Sequence, residues 1–206
     1  MATVARRKYS PRRPREERRE QLLDATLRVL DANGFGGLTI EGIAREADLA
    51  KTVVYDTFGN REKLLRALLA REQERALSLL AAAMPTPPLP DDPRRVLTAA
   101  LTALLEGVRE HPETWRLILL PPEGTPPAVR KTVDRQRELL ARQVEPIVAW
   151  GLKQIGAVHL DAELATQALV ASIENAIRLT LTQPDRFPPR RFADFAADVV
   201  AAIGTP

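Results

Sequence analysis

Apolar residues recur at helical spacing in segment after segment of this chain, and prolines and glycines separate the segments. Leu22, Leu23, Leu27 and Leu30, with Ala25 and Thr26, predict a helix from about Glu16 to Asn33 that Gly34 stops. Phe35 and Leu38 then belong to the core of a small three-helix domain. Thr39 is a good N-cap, and Ile40, Ile43, Ala44 and Ala47 behind it predict a short helix. Asp48-Leu49-Ala50 reads as a turn, and Lys51 to Asp56 as a second short helix. Val54 of that helix points inward beside Leu49, which leaves Lys51, Thr52, Val53 and Tyr55 room to face out. Asn60 caps a long helix carried to about Ala83 by Leu64, Leu65, Leu68, Leu69, Leu77, Leu79 and Leu80.

Five prolines between 84 and 93 make the clearest boundary in the chain, because proline at that density excludes helix interior and sheet. Asp92-Pro93 then reads as a cap followed by proline at the first helical position. The predicted helix runs through Val96, Leu97, Ala100, Leu101, Leu104, Leu105 and Val108 to Glu110. Pro112 starts a short helix with Trp115, and after a break at 121–127 Thr125-Pro126 opens a long one to about Ile155. Pro146 inside it must kink the helix or remove one hydrogen bond. Asp161 caps a helix to about Gln183, and Phe192, Phe195, Val199, Val200 and Ile203 mark a last one over 190–203. The expected fold is all-α: an N-terminal three-helix helix-turn-helix domain plus a C-terminal helical domain. Its expected divisions are a basic disordered arm (1–15), a DNA-binding domain (16–60) and a helical body (61–206) that begins with a linker helix, 60–83.

Two short helices joined by a tight turn form a helix-turn-helix, whose second helix enters the major groove of DNA. In that reading Lys51 and Thr52 reach base edges or phosphates, and lysine suits guanine O6 and N7. Val53 packs on a thymine methyl, while Tyr55, Thr39 and Thr57 supply hydroxyls for phosphate oxygens. Tyr55 has a competing place as an aromatic wedged into the small domain's core.

From about Arg18 to Arg71 the sequence resembles the N-terminal domain of TetR-family transcriptional repressors. Ile43-Ala44 and Ala47 match the scaffold helix, Leu49 the buried turn residue, and Lys51 and Tyr55 the recognition helix. Phe58 and Gly59 close that helix, and Arg61-Glu62 with Leu64-Leu65 open the next. Three positions depart from the pattern: Asp48 replaces a usual glycine, Ala50 a usual serine, and Thr57 a frequent histidine. The resemblance implies that Arg61 contacts phosphate, where relatives commonly have lysine, and that the helix over 60–83 relays ligand state to the DNA-reading head. It further implies that the last two helices pair with their copies in a four-helix dimer interface. On this chain that interface would use Val170, Ile173, Ile177, Leu181, Phe195 and Val199.

Charge changes this picture in one respect. The net charge of +3 hides an arm of six basic groups without an acid in residues 1–15, followed by a segment, 16–60, that is acidic on balance. Long-range attraction to DNA must therefore come from the arm and from a few well-placed basic side chains. Arg6, Arg7, Arg12 and Arg13 can lie along phosphates or enter a narrow minor groove. The absence of cysteine excludes disulfide and thiolate chemistry, and no apolar run is long enough for a bilayer, so a cytoplasmic protein without a membrane partner is expected.

A small-molecule effector would occupy the helical body, where Trp115, Arg116, Glu174, Asn175 and Arg178 are the polar or aromatic candidates. Glu174 and Arg178 stand at i,i+4 and have a plainer use as a surface pair, Trp115 as core, and His111 as a helix-end residue. No metal cluster, phosphate loop or nucleophile motif occurs, so neither cofactor nor enzymatic activity is expected. The expected function, which the resemblance implies for its ligand step, is a homodimeric regulator of double-stranded DNA with a C-terminal ligand-binding and dimerisation domain, a repressor released from a pseudo-palindrome by an unidentified small molecule. Its rivals are a ligand-independent architectural protein and a helical carrier or enzyme with a vestigial head.

Overall fold

The computed structural model describes residues 14–119 and 127–204, with side chains from 135 onward in the second stretch. Among the described residues there are nine helices and no strands, in agreement with the all-α expectation. They fall into two compact units, one ending at Leu68 and the other made of Leu69 onward together with Gly34–Gly36.

The first unit is built on α1 (Arg15–Gly37), α2 (Ile40–Glu46), α3 (Lys51–Phe58) and the opening turns of α4 (Arg61–Ala83). α1 starts one residue before the predicted place, and its helical geometry breaks at Gly34, where φ is 64°. Only glycine adopts that backbone without cost, so the stop read from the sequence is real although a further turn follows. Leu22, Leu23, Leu30, Ile43, Val54, Leu64 and Leu68 are all at most 1% exposed and form the unit's core. α3 runs two residues past the predicted end, to Phe58, and Gly59 at φ 79° terminates it with its N–H on Tyr55 O.

The turn between α2 and α3 closes on backbone bonds. Leu49 N–H donates to Ala44 O at 2.9 Å and Asp48 N–H to Arg45 O at 3.1 Å, the paired bonds of a Schellman ending. That ending requires a left-handed residue, and the residue is Asp48, at φ 51°. A side chain costs energy in that conformation, and its carboxylate sits at the negative end of α2. Asp48→Gly is therefore expected to stabilise the protein by about 1 kcal/mol. Urea titration of both proteins checks this, and an unchanged or lower midpoint would contradict it.

The second unit contains the rest of α4, then α5 (Pro93–Glu110), α6 (Pro112–Leu119), α7 (Pro127–Gln154), α8 (Ala162–Thr182) and α9 (Pro189–Ile203). α5 packs on α6, α8 and α9, and α8 also packs on α6 and α7. Asp92 and Asp161 cap α5 and α8 as predicted, accepting from Arg94 N–H and Leu164 N–H at 2.9 and 3.0 Å. Thr125 and Pro126, expected to open α7, lie outside the described residues. Pro146 stands within α7, where the Arg142 carbonyl that loses its bond belongs to an exposed residue. Leu101, Leu104, Leu105, Val108, Trp115, Ala176 and Ile177 form a shared apolar cluster with Ala76 of α4.

Candidate nucleic-acid interface

α3 presents one polar face. Val54 at 1% and Phe58 at 6% exposure anchor its inner side, while Lys51, Thr52, Tyr55 and Asp56 are exposed. Tyr55 is 44% exposed, so it is no core wedge and its hydroxyl is free to reach outward. Val53 and Thr57 are half-buried at the edge of that face. The N-cap, Ala50, makes no side-chain bond to the helix, which is the cap lost with the usual serine.

Two of the hydroxyls expected on phosphate already have bonds. Thr39 Oγ1 accepts from Gly42 N–H at 3.0 Å as the cap of α2, and its own proton remains to be donated. Thr57 Oγ1 donates to Val53 O at 2.7 Å, so its hydrogen turns back onto α3 and only its lone pairs face out. Arg61 opens α4 in an exposed position, behind the Asn60 cap that accepts from Lys63 N–H at 2.9 Å. Arg6, Arg7, Arg12 and Arg13 lie outside the described residues.

Lys51 is held by a partner on the neighbouring helix. Its ammonium pairs with Glu41 of α2 and stands 5.9 Å from the centre of the Tyr55 ring. The hydrogen bond and charge of Lys51 lower the pKa of Glu41, and Glu41 raises that of Lys51 in turn. Reading a base or phosphate requires Lys51 to leave this exposed pair. Other contacts set the head's geometry: Arg19 stacks over Phe58 at 5.0 Å, Gln21 Nε2 donates to Ala47 O at 2.6 Å, and Arg28 pairs with Glu46 at 2.6 Å. The signal for Lys51–Glu41 was present as opposite charges at the starts of two helices expected to pack together.

In the second unit the effector candidates separate. Trp115 is 2% exposed in the apolar cluster, and Arg116 is half-buried beside it in sequence. Glu174 does not pair with Arg178; it meets Arg137 of α7 at 2.9 Å, and Arg178 donates to Asn175. Asn175 and Arg178 lie on the exposed stripe of α8 that also carries Leu164, Ala168 and Ala171, so they face away from the interior. His111 is the C-cap residue of α5. Among the dimer candidates, Val170 and Ile177 are 3% and 2% exposed and serve the core of a single chain. Ile173 and Leu181 are packed against that core, whereas Phe195 and Val199 are exposed.

Glu72, which helical spacing of apolar residues does not single out, is fully buried. It pairs with Arg71 at 2.7 Å and Arg75 at 3.3 Å, and accepts from Thr114 Oγ1 of α6 at 2.5 Å. Among the described residues no group of acidic or histidine side chains could hold a metal, and no helix is long and apolar enough to cross a membrane.

Comparison with known proteins agrees with this geometry. The family described as "Bacterial regulatory proteins, tetR family" matches residues 22–68. The chain is 32% identical over 166 residues to the HTH-type transcriptional activator FasR of Mycolicibacterium smegmatis, covering 80% of this chain and 73% of that protein. It is 42% identical over 55 residues to the HTH-type transcriptional regulator BetI of Burkholderia thailandensis, a match covering 27% of this chain and 28% of BetI. In structure it resembles a TetR-like transcriptional regulator from Rhodococcus sp. RHA1, with TM-score 0.72, 27% identity and coverage of 94% and 96% of the two chains. The fold is shared also with FadR from Bacillus subtilis, solved in complex with stearoyl-CoA, at TM-score 0.64 and 15% identity over 88% of this chain and 96% of that one. A helix-turn-helix head with an outward polar face, followed by a helical body and matched by these relatives, makes the chain a transcriptional regulator that belongs to the tetR family.

Proposed function

We propose that this regulator works in the cytoplasm as a homodimer whose two heads (16–60) read the halves of a pseudo-palindromic operator. The outward face of α3, with Lys51, Thr52 and Tyr55 exposed and Val53 at its margin, carries this reading. Thr39 and Arg61 position the head on phosphates, Thr57 joins them once its hydroxyl turns away from Val53 O, and the arm with Arg6, Arg7, Arg12 and Arg13 supplies salt-dependent attraction. The body (61–206) joins two copies and takes up a small molecule, with the helix over 60–83 as the mechanical link between them. Binding of that molecule releases DNA by favouring a state in which the heads no longer match the half-sites.

The pairing surface consists of what the chain leaves uncovered on its last two helices. Leu164 at 68% and Phe195 at 67% are the most exposed apolar side chains there, joined by Val199 at 38% and Ile203 at 42%. Ala168 and Ala171 on the same stripe of α8 let a partner helix approach closely. The relative named an activator, 32% identical, favours a second reading in which DNA binding raises transcription instead of blocking it. Transcription from an operator-bearing promoter, with and without the protein, separates the two.

Replacing Lys51 by alanine tests the assignment of α3. A base-reading lysine predicts a roughly 5- to 100-fold loss of affinity confined to one operator position. A uniform loss across sequences would reduce Lys51 to a phosphate contact, and no loss would remove α3 as the reading helix. Glu41→Gln is expected to act in the opposite direction, tightening binding a few-fold as Lys51 is released and a carboxylate beside the phosphates is neutralised.

A further inference from the structure

Lys51 is the one cation of α3, and in the free protein its charge is already met. The ammonium pairs with Glu41 in the first turn of α2, with 49% and 64% of the two side chains exposed. In water such a pair gains little and parts easily. Against a duplex the balance differs. Once Lys51 turns to a base, the Glu41 carboxylate loses its cation in a groove that shields it from water, beside phosphates of its own sign. It then needs a hydrogen-bond donor, and the DNA is the nearest source.

The major groove offers few donors. Cytosine N4 and adenine N6 present one there, and the other polar atoms of the base edges accept. A G·C pair carries on one edge what both side chains require. Guanine O6 and N7 accept from an ammonium, and the groove-facing N4–H of cytosine donates to a carboxylate. Guanine O6 and cytosine N4 are Watson–Crick partners, so they lie within hydrogen-bond distance of each other, as the ammonium and carboxylate do in the free head. The protein pair and the base pair can therefore meet edge to edge without leaving either charge alone. We infer that Glu41 is a second base-reading residue: Lys51 takes guanine and Glu41 takes the amino group of the cytosine opposite, so that one ion pair reads one G·C pair. This rests on α3 being the reading helix and names the base pair that its first residue selects. The amide of Glu41→Gln both donates and accepts, so the tighter binding expected of that variant comes with a loss of choice at this pair.

The test uses the full-length protein and a duplex selected by it from a random pool. N4-methylcytosine keeps Watson–Crick pairing and puts its methyl group where the groove-facing N4–H stood. It replaces cytosine at each G·C pair of the half-site in turn. At the pair that Lys51→Ala relaxes, methylation is expected to weaken wild-type binding about tenfold, and binding of Glu41→Ala by less than about twofold. Glu41 is exposed, so its replacement leaves the head folded. Equal losses in the two proteins would make the effect steric and overturn the inference. So would the absence of loss at every pair, or a Glu41-dependent loss at a pair other than the one Lys51 reads. In each of those cases a Lys51→Ala loss confined to one position still leaves α3 as the reading helix. Lys51→Ala without any effect removes that reading, and the inference with it.

Discussion

Glu72→Ala is expected to lower the unfolding free energy of the C-terminal unit by about 3–5 kcal/mol, the largest single loss foreseen for this chain. The carboxylate is fully buried, and three neighbours depend on it. Arg71 is 15% exposed and would stand in low dielectric with its nearest anion gone, while the Thr114 hydroxyl would lose its acceptor. Arg75, at 37%, can turn to water and contributes less. The comparison variant is Thr114→Val, which keeps the ion pairs and removes one hydrogen bond, for about 1–2 kcal/mol. Both tryptophans, Trp115 and Trp150, lie in this unit, so their fluorescence in a urea titration follows it. A loss below about 1 kcal/mol for Glu72→Ala would mean that the carboxylate is solvated in solution.

The double substitution Leu164→Asp with Phe195→Asp is expected to yield a monomer and to reduce operator affinity by more than about 100-fold. Two linked heads gain by making the second binding event intramolecular, and separate heads lose that gain entirely. Both residues are about two-thirds exposed in the single chain, so charging them should leave the protomer folded. Ile177, an earlier candidate for the same role, gives no such information. At 2% exposure it is protomer core, and a charge there would unfold the body before it separated a dimer. Sedimentation of the double variant checks the prediction, and an intact dimer would place the interface elsewhere.

Much of the fold was readable from residue spacing because each helix has a local start and stop. Thr39, Asn60, Asp92 and Asp161 all cap where hydroxyl, amide or carboxylate oxygens suggested, and Gly34 and Gly59 break the helices they follow or interrupt. What spacing could not tell was which apolar face a helix buries in its own chain and which it leaves open. α8 is apolar on several sides, and Val170 and Ile177 differ from Leu164 only in what α5, α6 and α7 cover. Glu72 was overlooked for a related reason. It falls on the buried stripe of α4, four residues after Leu68 and four before Ala76, with arginines one before it and three after. A carboxylate on an apolar stripe with two flanking guanidiniums is a legible sign of a buried cluster. The head kept most of its expected outward face, but the Lys51–Glu41 pair depended on how α2 and α3 meet in space.

The central claim is that α3 is offered to DNA twice by a paired molecule. Selection of bound duplexes from a random pool with the full-length protein tests it most directly. An inverted repeat with fixed half-site spacing, weakened at one position by Lys51→Ala, is the result predicted here. Recovery of unrelated duplexes with no common sequence, or of a lone half-site indifferent to Lys51, would contradict it.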